Sequence, residues 1–345
     1  MSLLEIKGLE TEFQTEQGVV KALRGINYTV DRGEVLGIVG ESGSGKSVGM
    51  LSLMGLLAPN GTVTAGEMIF DGEDISPIKY KTKKAKKEYE KKMNQIRGND
   101  ISMIFQDPMS YLNPIVTIEK QMTEGIRFHT KCSKKEAVQR AVELMKMVGI
   151  PAPESRLKQY PFEFSGGMRQ RIIIAIALAC NPKLIVADEP TTALDVTVQA
   201  QILDLLKDIT RESNAGVIII THDLGVVASL CDRISIMYGG NIMEEGTTDE
   251  IFYDPKHPYT KGLLNSIANS NIDHREPLKP IPGTPPDLLK LGDQCPFASR
   301  CSEAMEICTK ASPLVTEFGE KHKCKCWLHC KDRWHEVLKG EDAYE

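Results

Sequence analysis

Gly40-Glu41-Ser42-Gly43-Ser44-Gly45-Lys46-Ser47 is the stretch that decides the fold of this chain. It fits the pattern G-x-x-x-x-G-K-[ST], in which glycines let successive backbone N–H groups point inward around an anion. A helix that begins at the end of such a loop directs its positive N-terminal dipole at the same anion. Lys46 is therefore expected to reach the β- and γ-phosphates of a nucleotide, and the Ser47 hydroxyl to bind Mg²⁺.

The flanking sequence supplies the strand and the helix that a phosphate-binding loop requires. Residues 35–39 form a short apolar run typical of a buried parallel strand. Apolar residues are frequent over 50–57, and Pro59 with the Asn60-Gly61 pair predicts the end of a helix there. A glycine- and serine-rich surface loop is the alternative interpretation, and the strand-loop-helix order disfavours it.

The composition describes an ordinary globular protein of 345 residues, which is long enough for about two domains. Its 42 Lys and Arg against 47 Asp and Glu give a net charge of −5, so no overall basic field predicts a nucleic-acid partner. No uninterrupted apolar run approaches the roughly 18 residues of a membrane span, and residues 1–5 lack a signal-peptide pattern. We therefore expect a cytoplasmic protein that reaches a membrane only through a partner.

Polar residues follow three further apolar runs, at the points where the predicted strands end. They are Gln106, the pair Asp188 and Glu189, and His222. Ligands bind at the carboxyl ends of strands in an open parallel sheet. We expect Asp188 to contact Mg²⁺, Glu189 to contact a water molecule, and the Gln106 side-chain oxygen to reach both. Taken alone, His222 is more often a structural histidine than a catalytic one.

Residues 3–30 predict several short strands punctuated by glycines, in an antiparallel sheet beside the phosphate-binding core. Phe13 lies in this segment. Its ring is either an ordinary core residue or an aromatic that stacks on adenine, and the strand pattern alone leaves both open.

Three other segments have clear patterns. Lysines crowd residues 79–92, which predicts a solvated helix, with a contact to anionic lipid as the alternative. Helical spacing over 118–149 is interrupted near 129–131, and residues 234–243 predict a hairpin that turns at two glycines. Ser165-Gly166-Gly167 precedes a long predicted helix, so its backbone amides would form a second anion-binding helix N-terminus.

With these motifs in this order, the sequence resembles the ATP-binding subunits of ABC transporters over essentially its whole length. The resemblance rests on the phosphate loop, Gln106 as the Q-loop, the signature Phe164-Ser165-Gly166-Gly167-Met168-Arg169-Gln170, the Walker B end Asp188-Glu189, the D-loop Ala193-Leu194-Asp195 and the switch histidine His222. A phosphate loop alone fits many enzymes, whereas the signature together with Gln106 and His222 is specific. Met168 departs from the glutamine of the family consensus, which affects only one side-chain contact.

The resemblance implies a role for each residue. Two such domains close head to tail and hold ATP between the phosphate loop of one and the Ser165-Gly166-Gly167 of the other. Glu189 is the implied general base, His222 contacts the γ-phosphate, and Gln106 couples the nucleotide to the membrane partner, with Lys46 as the fourth catalytic residue. The nucleotide contacts are assigned to Phe13, Gly40, Ser42, Gly43, Ser44, Gly45, Lys46, Ser47, Ser165, Gly166, Gly167 and Asp195, and the Mg²⁺ contacts to Ser47, Gln106 and Asp188.

A narrower resemblance is to the ATPase subunits of dipeptide and oligopeptide importers, and residues 105–114, 257–264 and 281–301 carry it. It implies membrane-spanning permease subunits, a second ATP-binding subunit that is either identical or different, and an external peptide-binding protein that acts indirectly. Nickel importers of the same subfamily share much of this sequence and remain an alternative for the cargo.

Nine cysteines are unevenly distributed, and six of them crowd the last fifth of the chain: Cys295, Cys301, Cys308, Cys324, Cys326 and Cys330. In a reducing compartment such a cluster is more often metal-binding than disulfide-bonded. The spacing is not the C-x₂-C pair of common zinc sites, and it is compatible with a 4Fe-4S cluster, a tetrahedral zinc or free thiols.

Some peptide-importer subunits resemble this tail and carry an iron-sulfur cluster, so the resemblance ranks the cluster above zinc. The implied ligands are Cys295, Cys301, Cys308 and Cys326, with Cys324 and Cys330 as alternatives for the fourth. We expect a structural role, because nothing in the sequence places this tail beside the phosphates.

The implied fold is α/β, with a P-loop (RecA-like) core, an antiparallel β subdomain and an α-helical signature subdomain at about residues 108–170. These occupy residues 1–270, and residues 271–345 form a small loop-rich metal-binding extension. The implied function is ATP hydrolysis that drives peptide import from the cytoplasmic face of the membrane.

Two other classes of function remain as alternatives. A soluble ABC-type ATPase that acts on DNA or ribosomes typically has a coiled-coil insertion or a second cassette, and this chain has neither. A binding protein that never turns over ATP fits poorly with the presence of Lys46, Glu189 and His222.

Overall fold

The structure is a computed structural model, and it describes residues 2–105, 111–190, 196–266 and 280–330. Two of the predicted site residues, Gln106 and Asp195, lie outside the described residues. The chain divides into two units, each made of several segments. Unit 1 comprises Met1–Glu5, Thr29–Val35 and Ile69–Thr221, and unit 2 comprises Ile6–Tyr28, Leu36–Met68 and His222–Glu345.

Three parallel strands form the sheet of unit 1. Strand β7 (Leu184–Asp188) lies between β6 (Ile101–Ile104) and β8 (Gly216–Thr221), with Ala187 opposite Ile104 and Ile219. Every residue of β7 and β8 is buried, which is why these strands read as continuous apolar runs rather than alternating ones. The carboxyl end of β7 therefore places Asp188 and Glu189 at one edge of the sheet, as predicted.

The helices of unit 1 follow the predicted pattern of apolar positions and caps. Their bounds are α2 Lys83–Ile96, α3 Ile118–Thr130, α4 Lys134–Met147, α5 Pro153–Arg156, α6 Gly166–Ala177 and α7 Val196–Ser213. The predicted interruption near 129–131 is confirmed, because Lys131 has a left-handed φ of 54° and Ser133 starts the next helix with a capping box. The lysine-rich segment is the solvated helix α2, which buries only Tyr89, Met93 and Ile96.

Two long strands replace the several short strands predicted for residues 3–30. Strand β1 (Leu4–Thr15) and strand β2 (Gly18–Val30) are neighbours joined by two residues, and β4 (Gly61–Phe70) lies on the other side of β1. The prediction was wrong because Gly25 was taken as a break and the continuity of β1 through Gly8 was not foreseen. Gly8 and Gly25 adopt positive φ angles, 58° and 76°, within a continuing strand. Strand β5 (Glu73–Asp74) pairs with the last two residues of β4.

A second group of strands in unit 2 is hydrogen-bonded in the order β11-β12-β10-β9-β3. Strand β3 (Val35–Val39) runs parallel to β9 (Arg233–Tyr238), which returns as β10 (Asn241–Thr247). The predicted hairpin is confirmed: Gly239 and Gly240 have φ angles of 53° and 76°, as a two-residue turn between twisted strands requires. Unit 2 also contains helices α1 Lys46–Met54, α8 Leu224–Leu230, α9 Thr248–Tyr253 and α10 Pro258–Asn265.

The C-terminal region from 280 to 330 adds two strands to this sheet. Strand β12 (Lys323–Lys325) pairs with β10, with Cys324 opposite Glu244, and β11 (Val315–Glu317) pairs with β12. The region is thus joined to unit 2 by backbone hydrogen bonds. Residues 267–279 lie outside the described part of the chain, so the predicted domain boundary at 270 stays a prediction. Among the described helices, none combines the length and the hydropathy needed to cross a membrane.

Candidate functional site

The phosphate loop follows β3 directly, and two of its glycines are required by space. A Cβ on Gly40 would lie 2.1 Å from the carbonyl oxygen of Met237, and one on Gly45 would lie 2.8 Å from that of Ala22. Gly45 also has a φ of 104°, a conformation that L side chains rarely adopt. Strands β9 and β2 therefore confine the loop from two sides, and larger residues at these positions would displace it.

Lys46 begins helix α1 and is buried, with 7% of its surface exposed. Its Nζ donates to the carbonyl oxygens of Gly40 at 2.7 Å and Glu41 at 2.9 Å. The ammonium group thus lies within the curve of the loop, where phosphate oxygens would compete for the same donor. Ser42, Gly43 and Ser47 are exposed, so the loop presents an open face to a ligand.

Phe13 is half-buried in β1, and its ring packs against β4. A Cβ on Gly61 would lie 2.7 Å from that ring, so Gly61 leaves room for the aromatic side chain. The Phe13 ring therefore has a neighbour in β4, and adenine stacking by Phe13 stays a prediction.

Asp188 and Glu189 end β7 in unit 1. Asp188 is 7% exposed, whereas Glu189 is half-buried. The N–H of Glu189 still donates to the carbonyl of Ile220 in β8 at 2.8 Å, although its φ of 46° is left-handed. The sheet therefore fixes the backbone at the point where the chain turns away from the strand and carries the glutamate out of the core.

The signature segment begins helix α6, as predicted. Ser165 is the N-cap, and its hydroxyl accepts from the N–H of Met168 at 3.3 Å. Ser165 and Gly166 are exposed, and Gly167 is half-buried with Val198 3.3 Å from its Cβ position. The exposed N-terminus of α6 offers backbone N–H groups and a positive dipole to an anion.

Gln170, the last residue of the signature, connects its helix to the end of β7, and the sequence did not predict this role. It is 1% exposed, and its Nε2 donates to the carbonyl of Pro190 at 2.7 Å. The signature helix is therefore tied to the residue that follows Glu189. No local pattern in the sequence marks it, because Arg169 and Arg171 flank it and a polar residue is ordinary there. Once buried, its amide requires a partner.

His222 follows β8 and is exposed. The next residue, Asp223, caps helix α8 by accepting from the N–H groups of Gly225 at 2.8 Å and Val226 at 3.3 Å. The turn that carries His222 is thus fixed by a cap immediately after it. Unit 1 contains Asp188, Glu189 and the signature, whereas unit 2 contains the phosphate loop, Phe13 and His222.

Four C-terminal thiols share one environment in unit 2. The charge of Cys326 acts on Cys295, Cys301 and Cys308, and each of the four sulfurs accepts a backbone N–H. The donors are Phe297, Glu303, Met305 and Leu328 respectively, with a distance of 3.5 Å from Met305 N to Cys308 Sγ. Burial raises the pKa of Cys295, Cys301 and Cys308 and outweighs these N–H groups, which act in the opposite direction.

The other two clustered cysteines differ in their hydrogen bonding. Cys330 Sγ donates to the carbonyls of Cys326 at 3.4 Å and Leu314 at 4.0 Å. Cys324 donates to the sulfur of Cys326, which lowers the pKa of Cys326 and raises that of Cys324. Burial, joined by the charge of the neighbouring thiols, raises the pKa of Cys295 to about 12.

All nine cysteines are free thiols in the structure. Within residues 2–105, 111–190, 196–266 and 280–330, no group of three His, Cys, Asp or Glu side chains has the arrangement of a metal site. The four thiols are therefore close enough to interact electrostatically, but their side chains are not in ligating positions.

The C-terminal region also reaches the phosphate loop itself. Arg300 Nη1 lies 2.6 Å from Glu41 Oε2, and the hydroxyl of Tyr259 accepts the N–H of Glu41 at 3.1 Å. The structural role expected for the tail assumed that it does not lie beside the phosphates, and this contact with the phosphate loop shows that the assumption is wrong. The contact could not be predicted, because two residues 259 positions apart leave no local pattern in the sequence.

Comparisons with known proteins agree with this geometry. Residues 23–192 match the family described as "ABC transporter". The oligopeptide transport ATP-binding protein OppD of Bacillus subtilis is 52% identical over 327 residues, which is 94% of this chain and 88% of that protein. The chain belongs to the ABC transporter family of ATP-binding proteins.

Within that family, this ABC ATPase is of the oligopeptide/dipeptide type. Residues 243–308 match the C-terminal region of oligopeptide/dipeptide transporters. The dipeptide transport ATP-binding protein DppD of Bacillus subtilis is 48% identical over 340 residues and covers 98% of both chains. The predicted resemblance to this subfamily is therefore confirmed.

Solved structures of ABC cassettes share the fold. The dimeric ATP-binding cassette MJ0796, bound to ADP and Pi, is 29% identical with a TM-score of 0.61, over 71% of this chain and 98% of that one. CbiO1 from Clostridium perfringens gives 28% identity and a TM-score of 0.59, over 73% and 91% of the two chains. The predicted ABC ATPase fold is confirmed by these similarities.

Proposed function

We propose that this ABC ATPase binds and hydrolyses ATP to drive the import of dipeptides or oligopeptides through membrane-spanning permease subunits. The observation that carries the proposal is a phosphate loop whose Gly40 and Gly45 leave no room for a larger side chain. It occurs in a chain that is about half identical, along nearly its whole length, to proteins named as peptide transport ATP-binding proteins. We assign the ATP-binding domain to residues 1–270 and the extension to residues 271–345.

The chemistry is phosphoryl transfer to water, which depends mainly on positioning and charge neutralisation. The loop amides and Lys46 bind the β- and γ-phosphates, and Glu189 accepts the proton of the attacking water. His222 contacts the γ-phosphate. Mg²⁺, when bound, would be held by Ser47, Asp188 and Gln106, whose oxygens fit the preference of that ion, and it would neutralise phosphate charge.

The complete site requires two ATP-binding subunits. The Ser165, Gly166 and Gly167 of one chain, the first two of them exposed, complete the site made by the phosphate loop of the other. We assign Asp195 to the nucleotide contacts of the same site. MJ0796 forms a dimer in its nucleotide-bound structure, which supports this arrangement. The partner is either a second copy or a related ATPase.

The same proposal places the protein at the cytoplasmic face of the membrane as a peripheral subunit, with an external peptide-binding protein that delivers the cargo. Purification of the tagged chain from detergent-solubilised membranes tests this assembly. We expect hydrophobic permease subunits to co-purify, and peptide with its binding protein to stimulate ATP hydrolysis after reconstitution. Stimulation by nickel instead would identify the alternative cargo, whereas co-purification of ribosomes or DNA would contradict the transport function.

For the cysteines, we propose that Cys295, Cys301, Cys308 and Cys326 hold a 4Fe-4S cluster, with tetrahedral zinc as the alternative. What supports the proposal is that all four sulfurs accept a backbone N–H, because hydrogen bonds to sulfur stabilise a negatively charged Fe–S centre. The four side chains would have to turn toward one another to ligate it. Cys326 is favoured as the fourth ligand over Cys330, whose sulfur donates to two carbonyls.

The cluster has a direct test in the colour and metal content of the protein. Anaerobically purified protein should be brown and contain about four irons and four sulfides per chain. Cys326→Ser should lose this iron, while Cys330→Ser should keep it. Colourless protein with one zinc per chain would overturn the cluster assignment.

A further inference from the structure

Glu41, the second residue of the phosphate loop, is held at both its backbone and its side chain by distant parts of unit 2. Its N–H donates to the hydroxyl of Tyr259 at 3.1 Å, and its carboxylate pairs with Arg300 at 2.6 Å. The side chains of Arg300 and Glu41 are 6% and 25% exposed, so the ion pair is largely removed from water. Truncating one partner of such a pair leaves an uncompensated charge.

Arg300 is itself held in place from three further directions. Its Nη1 also donates to the hydroxyl of Tyr238 at 3.0 Å, its Nε donates to the carbonyl of Pro282 at 2.7 Å, and its Nη2 donates to that of Ile281 at 3.3 Å. Every nitrogen of the guanidinium group therefore has an acceptor. A planar group that is bonded at every nitrogen is held in one orientation, and its ion pair then fixes the position of the Glu41 carboxylate.

The two tyrosines are equally constrained. Tyr259 is fully buried, and its ring centroid lies 4.6 Å from that of Tyr238. Phe297 packs against both, at 5.2 Å from Tyr259 and 5.3 Å from Tyr238. The acceptor for the Glu41 N–H is thus part of a packed aromatic cluster that includes the C-terminal region.

These contacts matter because the loop binds phosphate through the direction of its backbone groups. Lys46 is anchored on the carbonyl oxygen of Glu41 at 2.9 Å, so a displacement of this residue also moves the anchor of the lysine. A shift at position 41 therefore affects both parts of the phosphate cradle.

We propose that Glu41, Tyr238, Tyr259 and Arg300 form a latch through which the C-terminal region holds the phosphate loop in its nucleotide-binding shape. Arg300 and Tyr259 are then positioning residues, and nucleotide binding is energetically coupled to the order of residues 281–300. Because coupling between two sites is reciprocal, nucleotide must stabilise this segment as much as the segment favours nucleotide. The proposal rests on the proposed function, since it assumes that the loop binds ATP.

The test compares the nucleotide affinities of Arg300→Met, Arg300→Lys and wild type by titration calorimetry. The dissociation constant of MgADP is measured for each protein as it is. That of MgATP is measured with Glu189→Gln added, so that the nucleotide is not hydrolysed. We expect Arg300→Met to raise both constants by about tenfold, and Arg300→Lys to give a smaller rise, because lysine keeps the charge but not the planar set of donors. Glu41→Gln should give a similar rise, and the double variant should be no weaker than the single ones.

Arg24→Met is the matched control. Arg24 donates to the carbonyls of Leu291 at 2.6 Å and Gly292 at 3.0 Å, so it also ties a strand to the C-terminal region. It makes no ion pair with the loop within the described residues. Because Arg24→Met loosens the coupled segment but leaves the Glu41–Arg300 ion pair in place, we expect both dissociation constants to stay within twofold of wild type.

Amide hydrogen exchange distinguishes the latch from a merely structural role of Arg300, because only the latch makes the exchange rate of residues 281–300 depend on bound nucleotide. MgADP should slow exchange over residues 281–300 in wild type and should not do so in Arg300→Met. If Arg300→Met does not fold, Tyr259→Phe decides, because it removes the hydroxyl that accepts the Glu41 N–H and keeps the ring.

The outcomes separate the latch from the function on which it rests. A folded Arg300→Met with nucleotide affinity within twofold of wild type would overturn the latch, as would unchanged affinity in Tyr259→Phe. Failure of the wild-type protein to bind nucleotide, measured against Lys46→Ala, would instead overturn the proposed function.

Discussion

Glu189 has a strained backbone at the position where the sequence predicts a catalytic base. Its φ of 46° lies in the left-handed region, which costs an L residue about 1–2 kcal/mol. The hydrogen bond from its N–H to Ile220 shows that the sheet holds it there. Strain of this kind is concentrated at functional sites, where the geometry of a side chain matters more than local stability.

Replacing Glu189 by Gln should retain ATP binding and slow hydrolysis by about 10²-fold or more, because the amide cannot accept the proton of water. Nucleotide titration and steady-state phosphate release measure the two effects. Glu212→Gln, at an exposed glutamate of the same unit, is the control and should behave as wild type. Wild-type turnover in Glu189→Gln would falsify this assignment of the base.

The glycines of the loop provide a matched pair. Gly43 and Gly45 both have positive φ, but a Cβ on Gly43 meets nothing within 4 Å, whereas one on Gly45 meets the Ala22 carbonyl at 2.8 Å. Both Ala variants should pay about 1–2 kcal/mol for the backbone, and Gly45→Ala should lose a further 1–3 kcal/mol, roughly the cost of overpacking. Urea unfolding measures the difference, and equal losses would show that the loop relaxes freely.

The sequence predicts individual residues well where a local pattern constrains them. The spacing of Gly40, Gly45 and Lys46 specifies a loop, and a carboxylate after a buried run specifies a strand end. Arg300 could not be found in this way, because its partner Glu41 is adjacent only in the folded chain. Gln170 could not be found in this way either, because Arg169 and Arg171 flank it and only the folded structure shows that it is buried.

Helix caps give a test of the signature element. Ser165 caps α6 and Ser133 caps α4, each by accepting from the backbone N–H three residues later. Either Ser→Ala change should cost about 1 kcal/mol of unfolding free energy. Only Ser165→Ala should also lower ATP hydrolysis, since its hydroxyl belongs to the shared site. Equal activity of the two variants would mean that the signature serine acts only as a cap.

The cap of α10 predicts a pH dependence. Burial, joined by the charges of His329 and Lys261, lowers the pKa of His257 from 6.5 to about 3, and its Nδ1 accepts the N–H of Tyr259 at 3.0 Å. The backbone N–H of His257 in turn donates to the buried carboxylate of Glu244, which also pairs with His322. Burial, the two positively charged neighbours and the N–H donated by Tyr259 to Nδ1 hold His257 neutral in the folded protein.

Because the folded pKa is depressed, the unfolded state binds a proton that the folded state does not. Stability from this group is complete above pH 6.5 and falls as the pH drops toward 3, by up to about 1.4 kcal/mol per pH unit. His257→Asn retains a cap acceptor without titrating, so its urea-unfolding curve should be flatter over this range. A parallel pH dependence in both proteins would contradict the neutral, buried histidine.

Elements were predictable where hydrophobic period and caps agree, as in α3, α4 and the β9-β10 hairpin. They were mispredicted in residues 3–30, where glycine was treated as a break although β1 and β2 continue through it. The pairing of β12 with β10 could not be predicted, since strand partners far apart in the chain are selected by tertiary contacts and not by propensity.

For the whole molecule, the arrangement implies that one chain supplies only half of each reaction site. The phosphate loop opens on one side, and Ser165 and Gly166 of the signature are exposed at the N-terminus of α6. A monomer should therefore bind nucleotide and hydrolyse it poorly. Through the latch, its C-terminal region acts on binding, whereas the partner subunit completes catalysis.

The most direct test is the specific ATPase activity, with any second ATP-binding subunit present in equal amount, measured over a thousandfold dilution of the protein. The shared site predicts that activity per chain falls with dilution as the dimer dissociates, while the dissociated chains still bind nucleotide. Specific activity that is independent of concentration down to the highest dilution would contradict the central claim.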